Sequence, residues 1–324
     1  MGTQEASRRI RVIRNPHARL ATALPRLDFA PHHDVVVDAW DIDDARTAAR
    51  EAALAGERIA VVGGDGTIFN VVNAVADRGS GPAEIGLVPA GTANDLARDL
   101  GLPLHPWEAA WHLAHGRARA VDVLVANGHR CVVGGGFGLP ALCVDAVRAL
   151  RDRSPLSRAL LSHGGGRVYQ VAAPWHVIPK PPLVELTVRW TDPAGRAHAW
   201  DTSVIAGFFL NQATIGRGLL LAPDARRDDG VFELSFIRPS SSTKLLTGLW
   251  RVSVGREAPG QVVVLPATSA RLSFATPQRV FLDGEFPWDT SAPSGSMERA
   301  AAEDGARVAS VEVGIVGGAI RLIS

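Results

Sequence analysis

The chain has 324 residues, 46% hydrophobic and 21% charged: enough apolar material for one large core or two modest ones, and too much for global disorder. Its 34 basic and 33 acidic residues leave a formal charge of +1, so the cation excess that draws a protein onto nucleic acid is missing and no nucleic-acid partner is expected. The two cysteines, Cys131 and Cys143, lie in apolar surroundings without metal-ligand spacing, which argues against a disulfide framework and for reduced core thiols in the cytoplasm.

The first third alternates strand-like and helix-like segments. "RIRVIRN" (9–15) and "DVVVDAW" (34–40) read as strands, "DARTAAREAALAG" (44–56) as an alanine-rich helix stopped by Gly56, and "RIAVVGG" (58–64) as a short β-branched run. That βαβ rhythm predicts a parallel sheet flanked by helices. Thr67 is expected to cap a helix burying Ile68, Val71, Val72 and Val75, with Gly79 beyond its end. "EIGLVPAG" (84–91) is the next strand, and "TANDLARDLGLP" (92–103) a short helix ended by Gly101 and Pro103. The tryptophans of "HPWEAAWHL" (105–113) are expected to pack a helix onto the sheet. From about Val121 the segments read as strands with no helix between them: "AVDVLVA", "HRCVVGG", "LVELTVRW", "TSVIAGFFL", "GVFELSFI", "QVVVLPA", "ARLSFA" and "RVFLDGE". The fold class expected is an α/β N-terminal domain with a parallel sheet, residues 1–122, and an antiparallel β domain, residues 123–324. Within the second, 287–305 reads as a mobile loop, followed by a last strand at 309–323 that is free to return to the first domain.

The glycine turn Gly63-Gly64-Asp65-Gly66-Thr67 joins a strand to a helix. Such a turn gathers backbone N–H groups at a point of positive dipole and has no Cβ atoms to block a phosphate. The plainer alternative is a tight turn in which Asp65 merely assists the helix start. Asp65 would repel a bare phosphate, so it argues for a nucleotide carried with Mg²⁺. No Walker lysine pattern occurs, and "GFGLPA" (136–141) is a weak dinucleotide fingerprint because Pro140 interrupts it.

"GGDGT" (63–67), "PAGTANDLARDLGLP" (89–103), "PDARRDDGVFEL" (223–234) and "LDGE" (282–285), in this order, resemble the diacylglycerol kinase catalytic family, which includes bacterial lipid kinases and the sphingosine and ceramide kinases. "GGDGT" alone is shared with NAD kinases; the later motifs are more specific. The resemblance implies an NAD kinase/diacylglycerol kinase-like α/β domain that binds ATP, a C-terminal β-sandwich, and a lipid entering between them. It implies ATP and lipid as partners, with Mg²⁺, and diacylglycerol as the first acceptor expected. A non-catalytic lipid-binding relative, or a kinase of a soluble hydroxyl compound such as NAD, are the alternatives.

Carried over by position, the resemblance implies that Gly63, Gly64, Gly66 and Thr67 cradle the ATP phosphates while Asp65 organises the catalytic Mg²⁺, and that Gly91, Thr92 and Asn94 line the nucleotide site from the opposite loop. Asn15 keeps the Asn-Pro loop of the family, although "NPHARL" departs from its glycine-type position. Asp283 matches the general base and Glu285 its acidic neighbour; the competing reading of Asp283 is the corner of an Asp-Gly hairpin. Asp95, Asp122 and Asp229 match a structural Mg²⁺ site, with helix capping as the alternative for Asp95 and strand-end solvation for the other two.

No uncharged run reaches the roughly 18 residues of a membrane span, and "MGTQEASRRIRVIRN" shows no export or lipidation signal, so a cytoplasmic protein with peripheral membrane contact is expected. Arg148, Arg151, Arg153, Arg158 and Arg167, with Leu156, Leu160 and Leu161, form one candidate membrane patch, with a solvated helix as the alternative. A homodimer is left open.

Overall fold

The computed structural model describes residues 9–16, 34–75, 82–91, 94–144, 181–216, 218–288 and 306–323. The chain forms two compact units, residues 1–123 with 317–324, and residues 124–316.

In the first unit, strands β1 (Ile10–Arg14), β2 (Asp34–Asp38), β3 (Arg58–Gly63) and β4 (Ala83–Pro89) form a parallel sheet in the order β2-β1-β3-β4. Helices α1 (Ile42–Leu54) and α2 (Asp65–Val75) run between them, and α3 (Asp95–Asp99) and α4 (Pro106–His115) follow β4. Helix α1 starts where the Asp41 carboxylate accepts the Asp44 N–H at 2.8 Å, and it ends before Gly56, whose φ of +66° suits a residue without a Cβ. The chain's last strand closes this sheet, with Ile320, Arg321 and Leu322 pairing parallel to Ala83, Glu84 and Ile85 of β4. One core cluster joins Val12, Ala60, Val62 and Val88 to Ala109, Ala110 and Leu113 of α4 and to Ile323 from the C-terminus.

Helix α4 therefore packs through its alanines and Leu113. Its tryptophans do not pack onto the sheet as expected: Trp107 is 46% and Trp111 65% exposed, the latter stacked on His115. The facing surface carries small residues, Ala60 and Gly86 on the strands and Ala90 just past β4, and a side chain on Gly86 would already meet Leu113. So close an approach leaves no volume for an indole.

The second unit begins within β5 (Ala118–Ala126) and continues through β6 (His129–Cys131), β7 (Gly134–Gly138), β8 (Val184–Thr191), β9 (Ala197–Val204), β10 (Ala206–Leu210), β11 (Thr214–Ile215), β12 (Leu219–Leu220) and β13 (Phe232–Ile237). Then come α5 (Ser242–Ser253), β14 (Val262–Ala267), β15 (Ser269–Gln278), β16 (Val280–Leu282) and β17 (Val308–Ile323). One antiparallel layer has the order β17-β15-β8-β9, with β5 pairing β17 and β6; the other has the order β14-β13-β10-β7-β16. Phe137 of β7 meets Phe274 of β15 at 4.8 Å, and Trp200 of β9 meets Phe236 of β13 at 5.7 Å, so the two sheets pack face to face as a sandwich. The expected fold class, a parallel α/β unit followed by an antiparallel β-sandwich, is the one observed.

Three local expectations are corrected. "TSVIAGFFL" is not one strand: the chain changes sheet at Ile205, whose N–H bonds Ile237 and whose carbonyl takes the Leu139 N–H. Residues 242–253 form a helix inside the β unit. "GGGFG" is strand β7, paired on both sides by β10 and β16, where a side chain at Gly135 would strike Phe209 and the Phe281 carbonyl. The arginine patch at 148–167 lies outside the described residues, as does most of the expected loop at 287–305.

Candidate active site

Only Gly64 separates β3 from α2. The Gly64 carbonyl accepts the N–H groups of Thr67 and Ile68 at 3.0 and 3.2 Å, so α2 begins at Asp65, and Thr67 lies inside its first turn rather than capping it. Thr67 is buried, and its hydroxyl accepts a hydrogen bond from the Asn15 side chain at 3.3 Å. It fills the space beside Gly63, where a Cβ would lie 2.5 Å from the Thr67 Oγ1.

The turn is backed by the loop after β4. The Ala90 N–H extends the strand pairing to the Gly63 carbonyl at 2.8 Å, which drives Gly64 onto Gly91. A Cβ on Gly64 would sit 2.9 Å from the Gly91 Cα, and one on Gly91 2.5 Å from the Gly64 Cα. Asn94, in the left-handed conformation at φ 53°, locks this loop: its Oδ1 accepts the Gly91 N–H at 3.0 Å, and its Nδ2 donates to the Gly91 carbonyl at 3.1 Å. Thr92 lies outside the described residues.

Asp65 ties the two loops together. Its carboxylate accepts the N–H groups of Asp95 at 3.3 Å and Leu96 at 3.4 Å, capping α3 from outside that helix. Asp95 is therefore the first residue of α3 rather than its cap. Asp122, buried on β5, accepts the N–H of Gly318, where the last strand kinks at φ +59°.

In the second unit, Asp283 and Gly284 both have positive φ, 47° and 81°, and form a two-residue turn closed by reciprocal bonds of 2.8 Å between Leu282 and Glu285. The hairpin-corner reading of Asp283 is thus true, but the side chain does more. It is buried, and its carboxylate accepts the N–H groups of Val132, Val133 and Gly134 at 2.8, 3.0 and 2.9 Å. Burial first, and the Asp283 charge second, push the neighbouring Cys131 thiol well up, which keeps it protonated.

Sequence reasoning missed Glu233. It lies buried on β13, where burial first, then the Asp224 and Asp229 carboxylates, push its own carboxyl up. The signal was present: "FELSF" places Glu233 and Ser235 on the face opposite three buried apolar residues, and the Ser235 hydroxyl donates to the Leu221 carbonyl on that side. Asp229 itself is exposed and accepts the Val231 N–H at 3.0 Å.

This all-oxygen set suits a hard divalent cation, whose charge would relieve the crowding at Glu233. Among the described residues, no three His, Cys, Asp or Glu side chains close into a cage. A Mg²⁺ ion needs none, since it keeps several waters and takes one or two carboxylates.

The match to known proteins spans both units. Residues 9–126 fit the diacylglycerol kinase catalytic domain, and residues 185–295 fit the YegS C-terminal NAD kinase beta sandwich-like domain. The chain is 26% identical over 290 residues to a "Diacylglycerol kinase" of Bacillus subtilis, covering 86% of this chain and 90% of that protein. It is 32% identical over 231 residues to a "Probable lipid kinase YegS-like" of Chromohalobacter salexigens, covering 68% of this chain and 67% of that one. A solved diacylglycerol kinase structure from Bacillus anthracis shares the fold, with TM-score 0.66, 17% identity and coverage of 99% and 98% of the two chains. With both units matched in order, the chain belongs to the diacylglycerol kinase catalytic family, alongside the YegS-like lipid kinases.

Proposed function

We propose that the protein transfers the γ-phosphoryl group of ATP, carried with Mg²⁺, to the hydroxyl of a lipid, with diacylglycerol as the leading acceptor. The observation that carries the reading is the contact of Gly64 with Gly91, which leaves a floor without side chains at the N-terminus of an 11-residue helix. N–H groups in the first turn of a helix lack intrahelical acceptors, and phosphate oxygens can take them. Asn15, Gly63, Gly66 and Thr67 complete the cradle, with Asn94 and Thr92 on the facing loop. Asp65 fixes the distance between the two loops, so its proposed part in organising the catalytic Mg²⁺ starts from a held position.

Asp283 is proposed as the general base and Glu285 as its partner. As the lipid oxygen bonds to the γ-phosphorus and the bond to the ADP oxygen breaks, the hydroxyl proton passes to the carboxylate. The transition state is loose, so the proton leaves late and an ordinary carboxylate is basic enough. Three backbone N–H bonds hold Asp283 in one orientation, which favours positioning over flexibility. Asp95, Asp122 and Asp229 are proposed to bind a structural Mg²⁺, and the chemistry of the Asp229, Asp224 and Glu233 set supports this for Asp229. Bound Mg²⁺ supplies charge neutralisation for the phosphates.

The test is purified protein with γ-labelled ATP, Mg²⁺ and a panel of diacylglycerol, phosphatidylglycerol, sphingoid bases and NAD. Label in an organic-extractable product is expected. Label in NAD alone would assign a soluble acceptor, and lipid binding without any labelled product would assign a non-catalytic relative. The family also suggests contact with a membrane surface, a cytoplasmic location and room for a homodimer; among the described residues, no helix is long and apolar enough to cross a membrane.

A further inference from the structure

Helix α5 seats Leu245, Gly248 and Val252 against Ile237 and Val262 of the sandwich, with the Gln261 side chain where a Cβ on Gly248 would stand. Its other side carries an exposed ridge at i, i+4 and i+8, ending on the C-cap residue: Leu246, Trp250 and Val254 are 44%, 56% and 49% exposed. Residues 238–257 hold four cations, Arg238, Lys244, Arg251 and Arg256, against one acid, Glu257. Arg251 donates to the Glu257 carbonyl; Arg238, Lys244 and Arg256 make no ion pair among the described residues. Arg238 is held at the helix's base, its N–H bonded to the Gln261 carbonyl at 2.9 Å.

An aromatic and aliphatic ridge bordered by cations is the make-up of a helix that lies in a membrane interface. We propose that α5 is an anchor that seats the protein on an anionic bilayer, with Leu246, Trp250 and Val254 entering the headgroup–acyl boundary and Arg238, Lys244 and Arg256 engaging lipid phosphates. The proposal takes its purpose from the lipid-acceptor reading above, but its test reads binding without turnover. A second copy of the chain is the weaker occupant, because a two-fold contact would set these cations against their own copies.

The test is co-sedimentation of the full chain with phosphatidylglycerol/phosphatidylcholine vesicles and with phosphatidylcholine vesicles alone. The wild type should bind the anionic vesicles and weaken as salt rises. Leu246→Ser with Trp250→Ser, and separately Lys244→Glu with Arg256→Glu, should each lower partitioning by about tenfold or more. All four side chains are exposed, so Tm should hold in both variants, as should turnover on a dispersed short-chain diacylglycerol. Vesicle binding equal to wild type in both variants would overturn the proposal. So would a ridge variant that changes the molar mass in light scattering while binding vesicles normally. If no lipid is phosphorylated by any form yet the variants still lose vesicle binding, the kinase reading fails and the anchor stands.

Discussion

Asp283 faces three N–H donors, and this decides what its amide would do. In Asp283→Asn an NH₂ group would be turned onto backbone N–H groups or an acceptor would be lost, at a cost of about 1–3 kcal/mol. That variant is expected to melt earlier and to lose turnover by about a hundredfold or more. Glu285→Gln, at a half-buried site, separates the two effects: its turnover should fall while Tm holds. Wild-type turnover in Asp283→Asn would remove the base assignment. Gly64→Ala pushes a methyl group into the Gly91 backbone, so the two loops must part. The expected outcome is a raised KM for ATP and a stability loss of about 1–3 kcal/mol, read by steady-state kinetics and thermal melts. At this scale the sequence was legible in the glycine turn after β3 and in the Asp-Gly corner at 283–284. It was silent on Asp65 capping α3, because that bond joins residues 30 positions apart.

Elements were legible where their period was clean. In the first unit α1 buries one alanine face while β3 and β4 are short, almost wholly buried runs, so these three could be read directly. Helix α5 was hidden because Leu246, Trp250 and Val254 face outward while Leu245 and Val252 face inward, which blurs the 3.6-residue period. Its threonines, tryptophan and valine are also modest helix formers. The break at Ile205 was hidden because Val204, Ile205 and Ala206 run on as one apolar stretch, and only the change of sheet separates β9 from β10. The β8–β9 hairpin offers a pH prediction. Bonds from His198, from the Arg196 N–H and from the Arg196 guanidinium hold the Asp192 carboxyl well below its usual range. Its folded value is depressed, so its stabilisation is present above the ordinary value of 3.8 and lost as pH falls below it. Asp192→Asn should therefore melt below wild type at neutral pH, with the gap closing in acid. A gap that persists at low pH would assign the loss to packing instead of charge.

Across the whole molecule, Asp229→Ala tests the structural metal. Added Mg²⁺ should raise the Tm of the wild type and leave that of the variant nearly unchanged, and a wild type indifferent to both Mg²⁺ and EDTA would exclude such a site. The last strand offers a second test. Ile320, Leu322 and Ile323 are buried in the first unit, so deleting residues 317–324 should abolish its cooperative unfolding by circular dichroism, even though its other four strands remain. The two-unit rhythm was readable from sequence, and the return of residues 309–323 could be imagined, but the pairing with β4 joins ends about 240 positions apart, beyond what local pattern specifies. That pairing also orders events in time. As the nascent chain leaves the ribosome, the half proposed to grip ATP emerges first yet lacks an edge of its sheet until residues 320–322 follow. The sheet of the first unit is therefore completed only after the whole of the second unit has left the exit tunnel, so the two units cannot mature in the simple order of their sequence.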